Sequence, residues 1–104
     1  MKKLERYIER SDLKGATHLE VSVHYTKGGM SYFTGQTSTR GYYLSVRPVT
    51  KRNGMVSFDL FSGCKRLILE TSRYSDKQFA RAVDMAKDYE DELVTAVVSE
   101  CRAA

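Results

Sequence analysis

The sequence is poor in the residues from which covalent and metal-bound sites are built. It has two cysteines, two histidines, one proline and no tryptophan in 104 residues. Cys64 and Cys101 show no CxxC or Cys/His spacing, so we expect two reduced thiols and no metal site. No catalytic or cofactor-binding motif is present, and we expect no cofactor.

Long apolar runs and a secretory leader are also missing. The run LVTAVVS is far shorter than the roughly 20 residues that a membrane-spanning helix needs. The N-terminus, MKKLERYIER, lacks the apolar segment of a signal peptide. We therefore expect a cytoplasmic protein with no membrane contact.

What is present is the composition of one globular domain spanning residues 1–104, with 41% hydrophobic and 29% charged residues. Its charge is unevenly distributed. Residues 1–74 carry thirteen Lys and Arg against six Asp and Glu, a net +7, whereas residues 75–104 carry four against seven, a net −3. The chain therefore has a basic front and an acidic tail.

The first segment, residues 2–13, has a helical spacing of apolar side chains. Leu4, Tyr7 and Ile8 recur at intervals of three and four among alternating charges, and Gly15 follows as a stop. This pattern predicts a short N-terminal amphipathic helix.

Two later segments alternate as strands do. THLEVSVHYT places Leu19, Val21 and Val23 on one side, and YYLSVRPVT has the same period of two. Pro48 has no amide hydrogen, so that end of its strand is expected at an edge or with the amide position turned outward.

The turns predict how the strands connect. A two-residue Asn53-Gly54 loop would set Arg47 beside Phe58, so we favour a three-residue loop, residues 52–54, with a bulge at Gly54. A second reversal is expected at residues 62–64, which would complete a meander.

The strongest helical signal lies at the C-terminal end. Residues 75–78, SDKQ, have the form of a capping box, and an apolar stripe then runs from Phe79 to Cys101. We predict one helix of about seven turns packed on one face of the sheet.

Glu90 is the one acid that falls within the apolar sector of this helix. It could snorkel at the sheet edge, pair with an Arg or Lys of a strand, or mark a polar position at a helix interface. The ion pair is favoured because a buried unpaired carboxylate is costly. The side chains of the acidic run YEDE project in different directions, which disfavours a metal site.

The segment GGMSYFTGQTSTRGYY, residues 28–43, has no Asp or Glu and predicts a hairpin arm and a polar loop. A two-residue Gly28-Gly29 turn would pair Tyr25 with Tyr32, leaving residues 35–40 as the loop. The rim of any site is expected there, formed by Arg40 with Tyr32, Phe33 and Gln36.

Isolated reactive side chains carry little catalytic signal. His18 and His24 lie on the same strand face but about 20 Å apart, so they are interpreted as exposed strand histidines. Cys64 stands beside Lys65 and Arg66 but has no evident base. We predict no catalytic residue.

Cations and aromatic residues share the strands and turns of the sheet. Such surfaces bind single-stranded nucleic acid by neutralising phosphates and stacking on bases. The leading hypothesis is therefore a non-enzymatic nucleic-acid-binding module. Its candidate contacts are Arg40, Tyr43, Arg47, Lys51, Arg52, Lys65 and Arg66.

The alternative is a protein-interaction, regulatory or inhibitor module that forms a homodimer. It would use the same sheet face with Met55, Phe61 and Ile68 turned outward, or the acidic side of the helix. An enzyme is the third possibility and would need a base convergent on Cys64 or Glu90.

The segments YFTGQTSTRGYYLSVRPV and SFDLFSGCKR resemble small uncharacterised proteins encoded on phages and integrative elements of Gram-positive bacteria. The resemblance covers residues 17–95. It implies an accessory or regulatory binding protein, and it assigns a role to no residue.

The sequence as a whole predicts an α+β fold. Its parts are a short N-terminal helix, an antiparallel meander sheet of three to five strands, and a long C-terminal helix on one sheet face.

Overall fold

A computed structural model describes residues 1–30, 37–58 and 63–103 of the chain. Its strands are β1 (Leu4–Glu9), β2 (His18–Thr26), β3 (Gly29–Met30), β4 (Thr37–Ser38), β5 (Gly41–Arg52), β6 (Met55–Ser57) and β7 (Cys64–Glu70). The helices are α1 (Asp76–Ala86) and α2 (Glu90–Ala103). The main sheet follows chain order, β1-β2-β5, with β6 and β7 both paired to β5. The α+β class with an antiparallel sheet is confirmed.

Strands β2 and β5 form the centre of the sheet, as their alternation predicts. They pair antiparallel with Leu19 opposite Pro48, Val21 opposite Val46 and Val23 opposite Leu44. Leu19, Val21, Leu44 and Val46 are buried against α1 and α2. One sheet face is therefore the core face, and the helices cover it.

The predicted N-terminal helix is wrong, because residues 4–9 form strand β1. This strand pairs with β2, with Leu4 opposite Val23 and Ile8 opposite Leu19. Leu4, Tyr7 and Ile8 fit a helical spacing, but in the strand Tyr7 lies on the face opposite to Leu4 and Ile8. Leu4 and Ile8 are compatible with either period, and pairing with the edge of β2 decides in favour of the strand.

The β5–β6 turn is the two-residue Asn53-Gly54 loop, so the predicted three-residue loop is wrong. Arg52 pairs with Met55, and both turn residues have positive φ, 53° at Asn53 and 77° at Gly54. These values belong to a type I′ turn, whose twist matches that of the strands. The register rejected from the sequence is thus the one adopted.

The predicted reversal at residues 62–64 is also wrong. Both β6 and β7 run antiparallel to β5, so they point in the same direction and follow one another along one edge of β5. Along β5, the gap between the residues paired with β6 and those paired with β7 includes Pro48, which has no amide hydrogen to donate to a partner strand. A bulge at Tyr42/Tyr43 then turns both Ile68 and Leu69 toward the core. Ile68 is buried, so its predicted outward position is wrong.

Strands β3 and β4 form a separate two-stranded arm between β2 and β5. Gly29 pairs with Ser38, and Met30 with Thr37. Tyr25 pairs with Tyr42 in the main sheet, and its predicted partner at position 32 lies outside the described residues. Thr37 and Ser38 are strand residues within the predicted 35–40 loop.

The predicted cap of the C-terminal helix is confirmed. Ser75 has extended backbone angles, and its side chain accepts a hydrogen bond from the Gln78 amide at 3.1 Å. The single long helix is wrong, however, because residues 87–89 interrupt it. Their amides donate to carbonyls three residues earlier, in the tighter 3₁₀ pattern, and α2 begins at Glu90.

A single hydrophobic core joins the helices to the sheet. Its members include Leu13 from the loop after β1, Val23, Ala82 and Val97. Tyr42 is fully buried beside Tyr25, Tyr74 and Phe79, and its hydroxyl bonds both the amide and the carbonyl of Ser75. This tyrosine fixes the start of α1 to β5. None of the described helices is long and apolar enough to cross a membrane.

Candidate nucleic-acid interface

The sheet face opposite the helices, called the open face here, is organised around a row of three cross-strand neighbours. Tyr7, Glu20 and Arg47 lie side by side on β1, β2 and β5. Arg47 Nε donates to Glu20 Oε1 at 2.8 Å, and Glu20 itself is only 5% exposed. A buried carboxylate is stable here because it is both paired and hydrogen-bonded.

Tyr7 connects this row to a second acid. Its hydroxyl lies 2.7 Å from Glu5 Oε1 and 3.1 Å from Glu20 Oε2, and these bonds raise the pKa of Tyr7. The same bond to Tyr7, together with one to Lys3, lowers the pKa of Glu5. Glu5 and Glu20 therefore both have partners within the face.

Three cations of the open face lie over aromatic rings. The Arg47 guanidinium carbon is 3.6 Å from the centre of the Phe58 ring, and the Lys51 ammonium is 4.5 Å from that of Tyr7. Lys65 covers the ring of Tyr43 at 4.7 Å. A cation over a ring gains attraction without losing its charge. The charges of Lys51 and Lys65 thus remain available to an anion, whereas the charge of Arg47 is paired with Glu20.

His24 lies beside Tyr43 on the same face. The two rings stack with centres 6.3 Å apart, and His24 Nδ1 is buried without a hydrogen-bond partner in the described part of the chain. Burial, reinforced by Lys65 and Lys3, lowers the pKa of His24 to about 4. The imidazole is therefore neutral near pH 7, and the predicted exposed histidine at this position is wrong.

The structure brings together four of the seven predicted contacts. Tyr43, Arg47 and Lys65 lie at the middle of the open face, and Lys51 lies at its Asn53-Gly54 end. Arg52 follows Lys51 in β5 and so alternates to the other side of the sheet, beside the turn. Tyr43 is buried under Lys65, so its ring contributes through that cation rather than by direct exposure.

The other two predicted contacts lie elsewhere. Arg66 projects from the core face, where it stacks on Tyr89 at 4.0 Å and lies 3.8 Å from Glu92. Arg40 precedes β5 and donates to the carbonyl oxygens of Lys27 and Ser72. From there to Arg52 the strand is about 40 Å long. Arg66 is therefore not a contact of this face, and Arg40 ties the arm to the segment before α1. The predicted rim residues Tyr32, Phe33 and Gln36 lie outside the described residues.

Sequence reasoning missed Tyr7, Glu20 and Phe58 as members of this surface. Tyr7 was placed on a helix, and Phe58 on the core face by the wrong turn register. The signal that could have found them is the Asn-Gly dipeptide, which favours the two-residue turn and sets Arg47 against Phe58.

Two further expectations can be compared with the structure. Glu90 is paired with Arg6 of β1, as the favoured ion-pair interpretation holds. Cys64 and Cys101 are free thiols whose pKa values are raised by burial. Neither is therefore activated as a nucleophile. Among the described residues, no group of three or more His, Cys, Asp or Glu is placed to hold a metal.

No family model matches the chain, and no solved structure matches it either.

Proposed function

We propose that this protein is a non-enzymatic binding module that holds single-stranded nucleic acid on the open face. The observation that carries the proposal is the placement of Arg47, Lys51 and Lys65 over aromatic rings on a sheet face that the helices leave uncovered. Single-strand binders combine these two features, cations for the phosphates and rings for the bases.

The distribution of acidic residues also favours the open face as the surface that binds an anion. Glu5 and Glu20 are engaged by Lys3, Tyr7 and Arg47. No carboxylate in residues 1–30, 37–58 and 63–103 lies within ion-pairing distance of Lys51 or Lys65. The exposed acids of the helices, such as Asp84 and Glu92, lie on the other side of the sheet. A polyanion is therefore attracted to the open face and repelled by the helices.

The proposal is tested by fluorescence anisotropy with labelled single- and double-stranded oligonucleotides at low and moderate salt. The triple variant Lys51→Ala/Arg52→Ala/Lys65→Ala removes two cations of the open face together with Arg52 beside the Asn53-Gly54 turn. We expect it to weaken single-strand binding about tenfold or more and to reduce the slope of log K against log salt.

The matched control is Lys77→Ala/Arg81→Ala/Lys87→Ala, which removes the same charge from exposed positions of α1 and the turn after it. It should bind as the wild type does. Equal losses in the two variants would show only a general charge effect. No binding by the wild type at tens of micromolar protein in low salt would end the proposal.

A homodimer is the second candidate, and strand β1 is the observation that favours it. No strand in the described ranges pairs with its outer edge, and Leu4 and Met1 are 42% and 77% exposed. Two copies could pair through these edges and bury both residues. Sedimentation of the wild type against Leu4→Lys is the test. A monomer at all concentrations in both would exclude this candidate.

A further inference from the structure

The Arg47–Phe58 pair is only partly covered. Phe58 is 42% exposed although the Arg47 guanidinium carbon lies 3.6 Å from the centre of its ring. Part of this side chain therefore faces solvent. An exposed phenyl ring costs free energy in water, and here it is held in a fixed place beside a charged group.

The guanidinium is oriented by a contact beneath it. Arg47 Nε donates to the buried carboxylate of Glu20, which also lies 3.1 Å from the Tyr7 hydroxyl. The terminal nitrogens of Arg47 make no hydrogen bond to any described residue. Within the described ranges these N–H groups have no acceptor, and their geometry suits a phosphate or a base oxygen.

The neighbouring turn places further charge next to the ring. Thr50 pairs with Ser57, so Phe58 continues the same edge, and Lys51 and Arg52 precede the turn. A base stacked on Phe58 would have its phosphates within the positive field of these cations.

We propose that Phe58, backed by Arg47, is a base-stacking position for one unpaired nucleotide, and that Arg47 donates to the same nucleotide. Glu20 acts as a positioning residue, since it holds the guanidinium against the ring. The ligand class is single-stranded nucleic acid, because a duplex keeps the faces of its bases stacked on each other and out of reach. This inference rests on the proposed function of the open face.

The test compares ring variants in a binding assay with a fluorescein-labelled oligothymidylate of about 12 nucleotides. Phe58→Ala should weaken binding about tenfold, and Phe58→Tyr should retain the wild-type affinity, because stacking needs an aromatic ring. Phe58→Leu keeps apolar bulk without the ring and should lose affinity as Ala does. It also replaces Phe58→Ala if that variant does not fold.

Salt dependence separates stacking from charge. The Phe58 variants should keep the wild-type slope of log K against log salt, whereas the open-face triple variant reduces it. Met55→Ala is the control, since Met55 is 75% exposed in the same hairpin and carries no ring. An oligonucleotide containing 2-aminopurine should be quenched on binding to the wild type but not to Phe58→Leu.

The possible failures are distinguishable. If the Phe58→Leu variant binds within twofold of the wild type while the triple variant binds more weakly, the stacking position is wrong and the proposed function stands. If the wild type binds no oligonucleotide, both are wrong.

Discussion

Arg47 shows how one side chain can satisfy several neighbours at once. It forms an ion pair with Glu20 and covers Phe58, and its own side chain is 27% exposed. In the sequence alone, Arg47 opposite Phe58 looks like a mismatch between a charged side chain and an apolar ring. The guanidinium is planar and weakly hydrated, so it stacks on a ring where an ammonium would not fit as well.

His24 makes stability depend on pH. Its pKa is about 4 in the folded protein, below the usual 6.5, because burial disfavours the charged ring. Above pH 6.5 the His24 ring is neutral in both the folded and the unfolded protein, so it does not lower the free energy of unfolding. As pH falls from 6.5 toward 4 the unfolded chain takes up the proton first, so stability is lost over that range.

We expect this loss to be about 1 to 2 kcal/mol after allowance for solvent screening. Urea denaturation of the wild type and His24→Gln at pH 7.5 and pH 5 measures it, with His18→Gln as the control on the same strand. Equal pH dependence in the wild type and His24→Gln would contradict the assignment.

At the level of elements, the Ser75 cap is the best-defined local contact. Ser75→Ala removes the acceptor of the Gln78 amide, which leaves a helix donor without a partner. The expected cost is about 1 kcal/mol in the free energy of unfolding. Ser72→Ala, a change of the same kind at an exposed site before the helix, should have almost no effect.

Gly63, where the chain enters β7, tests how closely that strand approaches β5. It has φ of 105°, and an added Cβ would lie 2.6 Å from the Val46 carbonyl oxygen and 2.7 Å from Arg47 Cβ. At Gly54 φ is also positive, but a Cβ there meets nothing within 4 Å.

Gly54→Ala should therefore cost only the backbone strain of about 1 to 2 kcal/mol. Gly63→Ala should cost clearly more, because β5 would have to move. Thermal denaturation of both variants compares them. A smaller loss for Gly63→Ala would mean that the strands are not this close.

The elements that sequence predicts correctly are those with a single consistent pattern. β2 and β5 alternate over many residues, and Ser75 begins a capping box, so period and boundary agree. β1 was missed because a short segment satisfies two periods. The division of the helix had a readable signal in Glu90, Asp91 and Glu92, since acids favour the first turn of a helix.

At the scale of the molecule, the core is shared by residues from the first loop to the last helix. Leu13 and Val97 belong to the same cluster although most of the chain separates them. We therefore expect helices and sheet to unfold in one step.

Val97→Ala tests whether the helices and the sheet unfold together, because Val97 is buried on α2 and belongs to the core cluster. It should cost about 2 kcal/mol. Circular dichroism reports the helices and tyrosine fluorescence reports the Tyr25, Tyr42 and Tyr74 cluster, and both should show the same lowered midpoint. Thr95→Ala, exposed on the same helix, is the control. Separate transitions would mean that α2 unfolds independently.

Composition predicts part of the candidate surface but not its arrangement. The basic front of the sequence gives the open face its cations, yet the side on which each cation lies depends on register. Lys65 and Arg66 are neighbours in sequence and face opposite sides of the sheet. Only the strand pairing separates them.

The opposite signs of the two sides of the sheet have a consequence before any contact is made. Cations on the open face and acids on the helices give the molecule an electric dipole between its sheet side and its helix side. In the field of a polyanion such a body experiences a torque that turns the sheet side forward while the partners are still apart. Its orientation on arrival is therefore set by long-range charge, and salt that shortens the Debye length should lower the productive fraction of encounters.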